Sequence, residues 1–263
     1  MRAIKLTPHK VYLLVVLMAF VIFLLVGGDG HRVATGESLE APSFHHLLGT
    51  DDLGMDILAQ LCHGGGYSLF LGLFSAGIAV TIGSVVGIAS GYYGGGLDKL
   101  LMSISDILTG MPQMILLILL GAFLGASYFS IVLVIALISW TQTARMVRAR
   151  VIFIKNRNYI KYSRRIGATF PDMVLRHFLP ALRELLTLSF IKIMSRGIVM
   201  EASLAYLGLG DPTSKSWGMM LNRAMSFPGI YFTPFWKWWV LAPLAALIGL
   251  VISLMAYSRE FEV

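Results

Sequence analysis

Six apolar runs set the first limit on what this chain can become. They cover residues about 11–26, 67–91, 100–124, 128–144, 185–207 and 236–256. A helix rises about 1.5 Å per residue, so about 20 mostly apolar residues cross the roughly 30 Å of hydrocarbon in a bilayer. The five later runs meet that length, the one at 128–144 only just. The first follows Arg2, Lys5 and Lys10 and resembles a signal peptide. No clean small-residue cleavage site follows it, so it is read as an uncleaved helix. Only 13% of the residues are charged, against about 25% in soluble domains. The expectation is an all-α, polytopic membrane protein with six transmembrane helices. In domain terms, residues 1–66 would hold the first helix and an extracytoplasmic loop, and 67–263 the main transmembrane domain.

Charge placement orients the spans. With the N-terminus inside, fifteen of the 21 Lys and Arg residues fall in segments on the cytoplasmic side and four on the opposite side; Lys192 and Arg196 lie within the fifth run. Basic residues gather on cytoplasmic loops, which predicts both termini in the cytoplasm. The net charge of +7 is therefore read as topology, with no nucleic-acid partner. The segment 150–180 is basic and periodically apolar (Val151, Ile154, Ile160, Ile166, Phe170, Met173, Val174). That pattern predicts short amphipathic helices between spans four and five, separated at Gly167–Ala168. Such helices suit a membrane surface or a docking partner.

Lys192, Arg196 and Glu201 are costly at membrane depth and normally face a protein interior or a water-filled cavity. Lys192 and Arg196 are one turn apart and share a face; Glu201 falls nearly opposite. They are candidates for a substrate pathway meeting anionic groups, or for pairing with acids of a neighbouring subunit. His31, His45, His46 and His63 lie near Asp51, Asp52 and Asp56 in sequence, but a capped turn accounts for the acids and no metal site is expected. Glycines 83, 87, 91 and 94 give the spacing of close helix contact. Cys62, the single cysteine, is a packing residue. No GxxxxGK[ST] stretch and no catalytic constellation is present, so no catalytic residue and no bound cofactor is expected.

Several ordered motifs carry a family resemblance. ArgMetValArgAlaArg at 145–150, LysTyrSerArgArgIleGlyAlaThr at 161–169 and LeuArgHisPheLeuPro at 175–180 resemble the EAA loop of binding-protein-dependent importer permeases. HisLeuLeuGlyThrAspAspLeuGlyMetAsp at 46–56 is similar to the motif that follows the first span in the dipeptide, oligopeptide and nickel branch. GlyTyrTyrGlyGly at 91–95, AspIleLeu at 106–108 with Pro112, GluAlaSerLeuAlaTyrLeuGlyLeuGly at 201–210 and SerTrpGly at 216–218 extend the likeness along most of the chain. Three departures stand out: LysTyrSer replaces Glu-Ala-Ala at 161–163, Met55 replaces an arginine, and the last residues lack a Gly-Asp-rich tail.

The resemblance implies a permease subunit of a bacterial inner-membrane ABC importer. It implies a second homologous permease, two ATPase subunits that bind ATP and Mg, an extracytoplasmic binding protein and surrounding lipid. Arg164, Arg165, Ile166, Gly167, Ala168 and Thr169 would couple the chain to the ATPases. Gly49, Thr50, Asp51, Gly54 and Asp56 would form the extracytoplasmic motif. The substrate would be a short peptide, with nickel or a metal chelate as the alternative. A stand-alone secondary transporter or channel is the rival class, but such a protein often shows an internal repeat, and none is visible.

Overall fold

The computed structural model describes residues 36–125, 127–212 and 214–259. The expected first span at 11–26 lies outside them. Among the described residues the regular structure is helical, apart from one isolated antiparallel bridge between Thr50 and Asp56.

Helix α1 spans Ile57–Tyr93. It starts ten residues before the apolar run does, so the expected division at 66/67 falls inside one helix. The Asp56 side chain sets this start, accepting the Ala59 N–H at 2.9 Å as an N-cap. The first turns contain Gln60, His63 and three glycines, which hydropathy alone reads as loop. Helices α2 (Gly95–Gly110) and α3 (Gln113–Leu124) meet at a 95° bend. The single straight span expected at 100–124 is therefore broken. Pro112 is the cause: it forces Met111 into extended backbone (φ −91, ψ 140) and cannot continue the helical hydrogen bonds.

Helix α4 covers Tyr128–Lys155, running eleven residues past its apolar stretch. A short helix α5 (Asn158–Arg165) follows. After a turn, α6 (Phe170–Met173), a π-helical stretch (Val174–Phe178) and α7 (Leu179–Tyr206) form one continuous rod. The chain then folds through α8 (Trp217–Ser226), a 3-10 turn at Pro228–Tyr231 and α9 (Trp236–Trp239) into α10, Leu241–Arg259. Segments Ile57–Tyr93, Tyr128–Lys155 and Trp236–Arg259 are each long and apolar enough to cross a membrane, as is the bent α2–α3 pair taken together. Helix α7, at 28 residues, is about 42 Å long; its apolar middle carries Lys192, Arg196 and Glu201.

The centre of the fold is the seam between α1 and α4. A Cβ at Gly87 would lie 2.5 Å from the Ala144 carbonyl oxygen and 2.7 Å from Val147 Cβ; one at Gly83 would lie 2.8 Å from the Trp140 oxygen. Only hydrogen at these positions lets the two backbones approach so closely. Gly94 belongs to a different class: nothing lies near it, and its φ of +69° ends the helix. Other faces are uncovered and wholly apolar. Phe129, Leu133 and Leu137 line one side of α4, and Leu244, Ile248, Ile252 and Met255 one side of α10. These stripes suit lipid.

Candidate functional site

Three regions hold the residues singled out by the sequence. The first is the elbow at 158–178. Helix α5 is fixed by one side chain, fully buried Ile160. Ile160 packs with Val147, Val151, Ile154, Met173, Phe178 and Leu182. The apolar periodicity of the loop is thus mostly spent on the chain's own core; the outward apolar groups are Tyr159, Tyr162 and Ile166, at 53%, 66% and 70% exposure. Gly167 adopts φ +91°. Its N–H donates to the Arg164 carbonyl at 3.2 Å and the Ala168 N–H to the Ser163 carbonyl at 3.1 Å. This is a Schellman end, which requires a left-handed residue. Thr169 and Asp172 then start α6 with a reciprocal capping box. The Thr169 hydroxyl holds the Asp172 carboxyl below its usual range. Arg164 lies over the Tyr92 ring, 5.4 Å from its centroid, and Tyr92 also contacts Phe170 and Phe178. The GlyTyrTyr end of α1 is therefore in mechanical contact with the elbow. Arg165 lines an open groove of about 590 Å3 with Asn158, Tyr159, Lys161, Tyr162, Ser163 and His177.

The second region is a knot around the start of α1. Asp51 is buried; one carboxyl oxygen accepts the N–H groups of Leu53 (2.9 Å) and Met55 (2.8 Å), the other the Gln60 amide at 2.8 Å. Thr50 bonds Glu37 and Glu40 through its hydroxyl. Gly49 and Gly54 both have positive φ. Asp56 caps α1 with one oxygen and bonds His46 Nδ1 at 2.8 Å with the other. Residues 214–217 close the knot from the far end of the chain. The Lys215 ammonium meets Met55 Sδ at 3.5 Å, and Trp217 Nε1 donates to the Leu61 carbonyl at 2.8 Å. Burial pushes the Lys215 ammonium pKa down, with Arg223 adding to it. Each motif residue here has an intrachain task. Gln60, Lys215 and Trp217 were not anticipated; the SerTrpGly motif at 216–218 was the available signal.

The third region is α7. Lys192, Arg196, Val199, Ser203 and Tyr206 form one incompletely covered stripe along it. Glu201 points the other way; it is buried, accepts the Ser68 hydroxyl at 3.3 Å and so joins α7 to α1. The structure thus brings Lys192 and Arg196 together and separates Glu201 from them. Arg196 Nη1 donates to Gln142 Oε1 on α4 at 2.9 Å. Lower on α4 two arginines are paired differently. Arg148 makes a two-bond fork with Asp98 of α2, at 2.6 and 2.7 Å, and Arg145 meets Asp106 at 2.8 Å. These pairs, absent from the sequence reading, clamp α2 against α4. Among the described residues no group of three or more His, Cys, Asp or Glu side chains could hold a metal ion.

Comparison with known proteins agrees with this architecture. Residues 83–261 match the family described as binding-protein-dependent transport system inner membrane component. A Brucella suis chain that carries the name peptide permease protein is 35% identical over 215 residues, 81% of this chain and 70% of the relative. A glutathione transport system permease protein of Pectobacterium atrosepticum is 35% identical over 216 residues, 81% and 72% of the two chains. An oligopeptide transport system permease protein of Bacillus subtilis is 34% identical over 197 residues, 74% and 64%.

Proposed function

The chain belongs to the family of binding-protein-dependent inner membrane transport components, and from that premise we propose that it forms, with a second homologous permease, the path by which short peptides enter the cell. It is a multi-pass permease component of the bacterial inner membrane, not the catalytic subunit. Hydrolysis of ATP with Mg belongs to two partner ATPase subunits, and an extracytoplasmic binding protein delivers the substrate. The peptide assignment follows the relatives named for peptides, glutathione and oligopeptides. Nickel has no comparable support. In this reading six spans cross the membrane with both termini inside, the knot lies outside and the elbow faces the cytoplasm.

The observation that carries the pathway is the contrast between uncovered stripes. Those on α4 and α10 are wholly apolar, whereas that on α7 holds Lys192, Arg196, Ser203 and Tyr206. Ionisable groups at membrane depth face protein or water rather than lipid; of these two we assign the α7 stripe to the translocation path rather than to pairing with acids of the second permease. The elbow transmits the ATPase motion: Tyr159, Tyr162, Ile166 and the basic side chains around Gly167 offer an outward face, while Ile160, Tyr92 and Phe170 tie it to α1, α4 and α7.

Substitution at Gly167 tests the coupling. Nothing lies within 4 Å of a Cβ there, so a side chain meets only the cost of left-handed backbone, about 1–2 kcal/mol. With the reconstituted importer, Gly167→Val is expected to slow peptide uptake and peptide-stimulated ATP hydrolysis while the subunit still inserts. Gly167→Asn, which tolerates that backbone, is expected to retain most activity. Full uptake by the valine variant would refute the coupling role of the elbow.

A further inference from the structure

Arg196 is held in an unusual way for an arginine in an apolar helix. Its partner, Gln142 Oε1, is a neutral carbonyl at 2.9 Å. Among the described residues no carboxylate forms an ion pair with it, in contrast to Arg145 and Arg148 on the neighbouring helix. An amide oxygen accepts a hydrogen bond without cancelling charge. A carboxylate at the same place would form a charge-assisted pair and neutralise the guanidinium. Gln142 occupies Nη1 alone. The guanidinium carries five N–H donors in a rigid fork, and the edge formed by Nε and Nη2 is the one that matches a carboxylate with two parallel bonds.

Gln142 is exposed on α4, and Arg196 is half-buried on the polar stripe of α7. The pair therefore sits at the uncovered junction of the two helices. Met146, Arg150 and Phe153 of α4 and Leu185 of α7 continue that junction as an open groove of about 410 Å3. A peptide passing along it would present a terminal carboxylate, which a fixed cationic fork recognises by geometry as well as charge.

We propose that Gln142 is a positioning and specificity-determining residue. It tethers Arg196 through a neutral acceptor, so that the charge of the guanidinium stays uncompensated and its Nε/Nη2 edge is turned to the carboxylate of the transported peptide. This rests on the reading that the α7 stripe lines the path.

The test uses the complete importer in proteoliposomes, with binding protein saturated by triglycine, and compares uptake by the unsubstituted complex with Gln142→Glu, Gln142→Met, Arg196→Gln and the double variant Gln142→Met/Arg196→Gln. A charge-assisted contact is worth about 1.5–3 kcal/mol, so Gln142→Glu and Arg196→Gln are each expected to slow uptake about tenfold or more. Gln142→Met removes the tether but keeps the charge, and about a threefold loss, seen as a raised half-saturating concentration of loaded binding protein, is expected. The double variant should be no slower than Arg196→Gln, because Gln142 acts only through Arg196; a purely structural role would give a further loss. Normal uptake by both Gln142 variants beside a slow Arg196→Gln would overturn the role of Gln142 and leave the pathway reading intact. Normal uptake by Arg196→Gln would overturn the pathway reading itself. If Gln142→Glu does not assemble, Gln142→Met decides: uptake equal to the unsubstituted importer refutes the tether.

Discussion

Arg145 and Arg148 of α4 and Arg196 of α7 lie in the same bundle and are treated in opposite ways. Arg148 and Arg145 reach across to α2 and are matched by Asp98 and Asp106. Arg196 reaches across to α4 and is matched by an amide. A neutralised pair between two helices fixes their spacing and offers no net charge to a ligand. A cation held by a neutral group keeps its field and its remaining donors. On the proposed reading, the bracing arginines Arg145 and Arg148 and the substrate-facing Arg196 differ in partner rather than in burial: the side chain of Arg148 is 34% exposed, so it is not deeply sequestered.

That comparison is broken most severely by removing the structural pair. Arg148→Ala leaves Asp98 without its fork, although Ser90 still donates to it. Because the pair is partly exposed, the expected cost is about 2 kcal/mol, below the roughly 3–5 kcal/mol of a fully buried pair. A thermal melt of the purified complex should show it, and the exchanged pair Asp98→Arg/Arg148→Asp should recover part of the loss. Arg145→Ala should cost less, about 0.5 kcal/mol, since Asp106 is 70% exposed. Equal losses at the two positions would mean that exposure does not grade these pairs.

How far the sequence carried the account depends on the range of each signal. The runs at 128–144 and 236–256 became α4 and the segment Trp236–Arg259, because continuous hydropathy is a local property. The turn at Gly167 was legible for the same reason: one glycine between two short amphipathic stretches. The bend at Pro112 was visible in principle, but a long apolar run on both sides outweighed one residue. The start of α1 at Ile57 was hidden, since Gln60 and Gly64–Gly66 look like loop until Asp51, Lys215 and Trp217 pack against them. The same applies to Asp98–Arg148 and Gln142–Arg196, separated by 50 and 54 residues. Periodicity on α7 placed Lys192 and Arg196 on one face and Glu201 opposite, as observed; the Ser68 partner of Glu201, 133 residues away, was not accessible.

A smaller effect belongs to Asp52, which forms no ion pair among the described residues, although Arg223 is near enough to oppose the shift in part. Burial, and then the neighbouring Asp51, raise its carboxyl above the ordinary aspartate range. The folded state therefore binds the proton more tightly than the unfolded chain. Stability falls as pH rises from the ordinary aspartate value through the raised one, and is flat above it. Asp52→Asn should remove that slope and raise the melting temperature slightly at neutral pH. An unchanged slope just above the ordinary aspartate value would assign it to another group.

The most direct measurement concerns which stripe meets water. Val199 lies one turn beyond Arg196 on α7, and Leu133 lies on the apolar stripe of α4; they are 39% and 48% exposed in the isolated chain. With Cys62→Ser as background, Val199→Cys and Leu133→Cys are placed separately in the assembled importer in a membrane and treated with a charged, water-soluble thiol reagent. The account predicts that position 199 is labelled, that peptide-loaded binding protein with ATP changes its rate, and that position 133 stays unlabelled. Labelling at 133 with none at 199 would contradict it, because the α7 stripe would then be sealed against lipid or a partner and could not line the path.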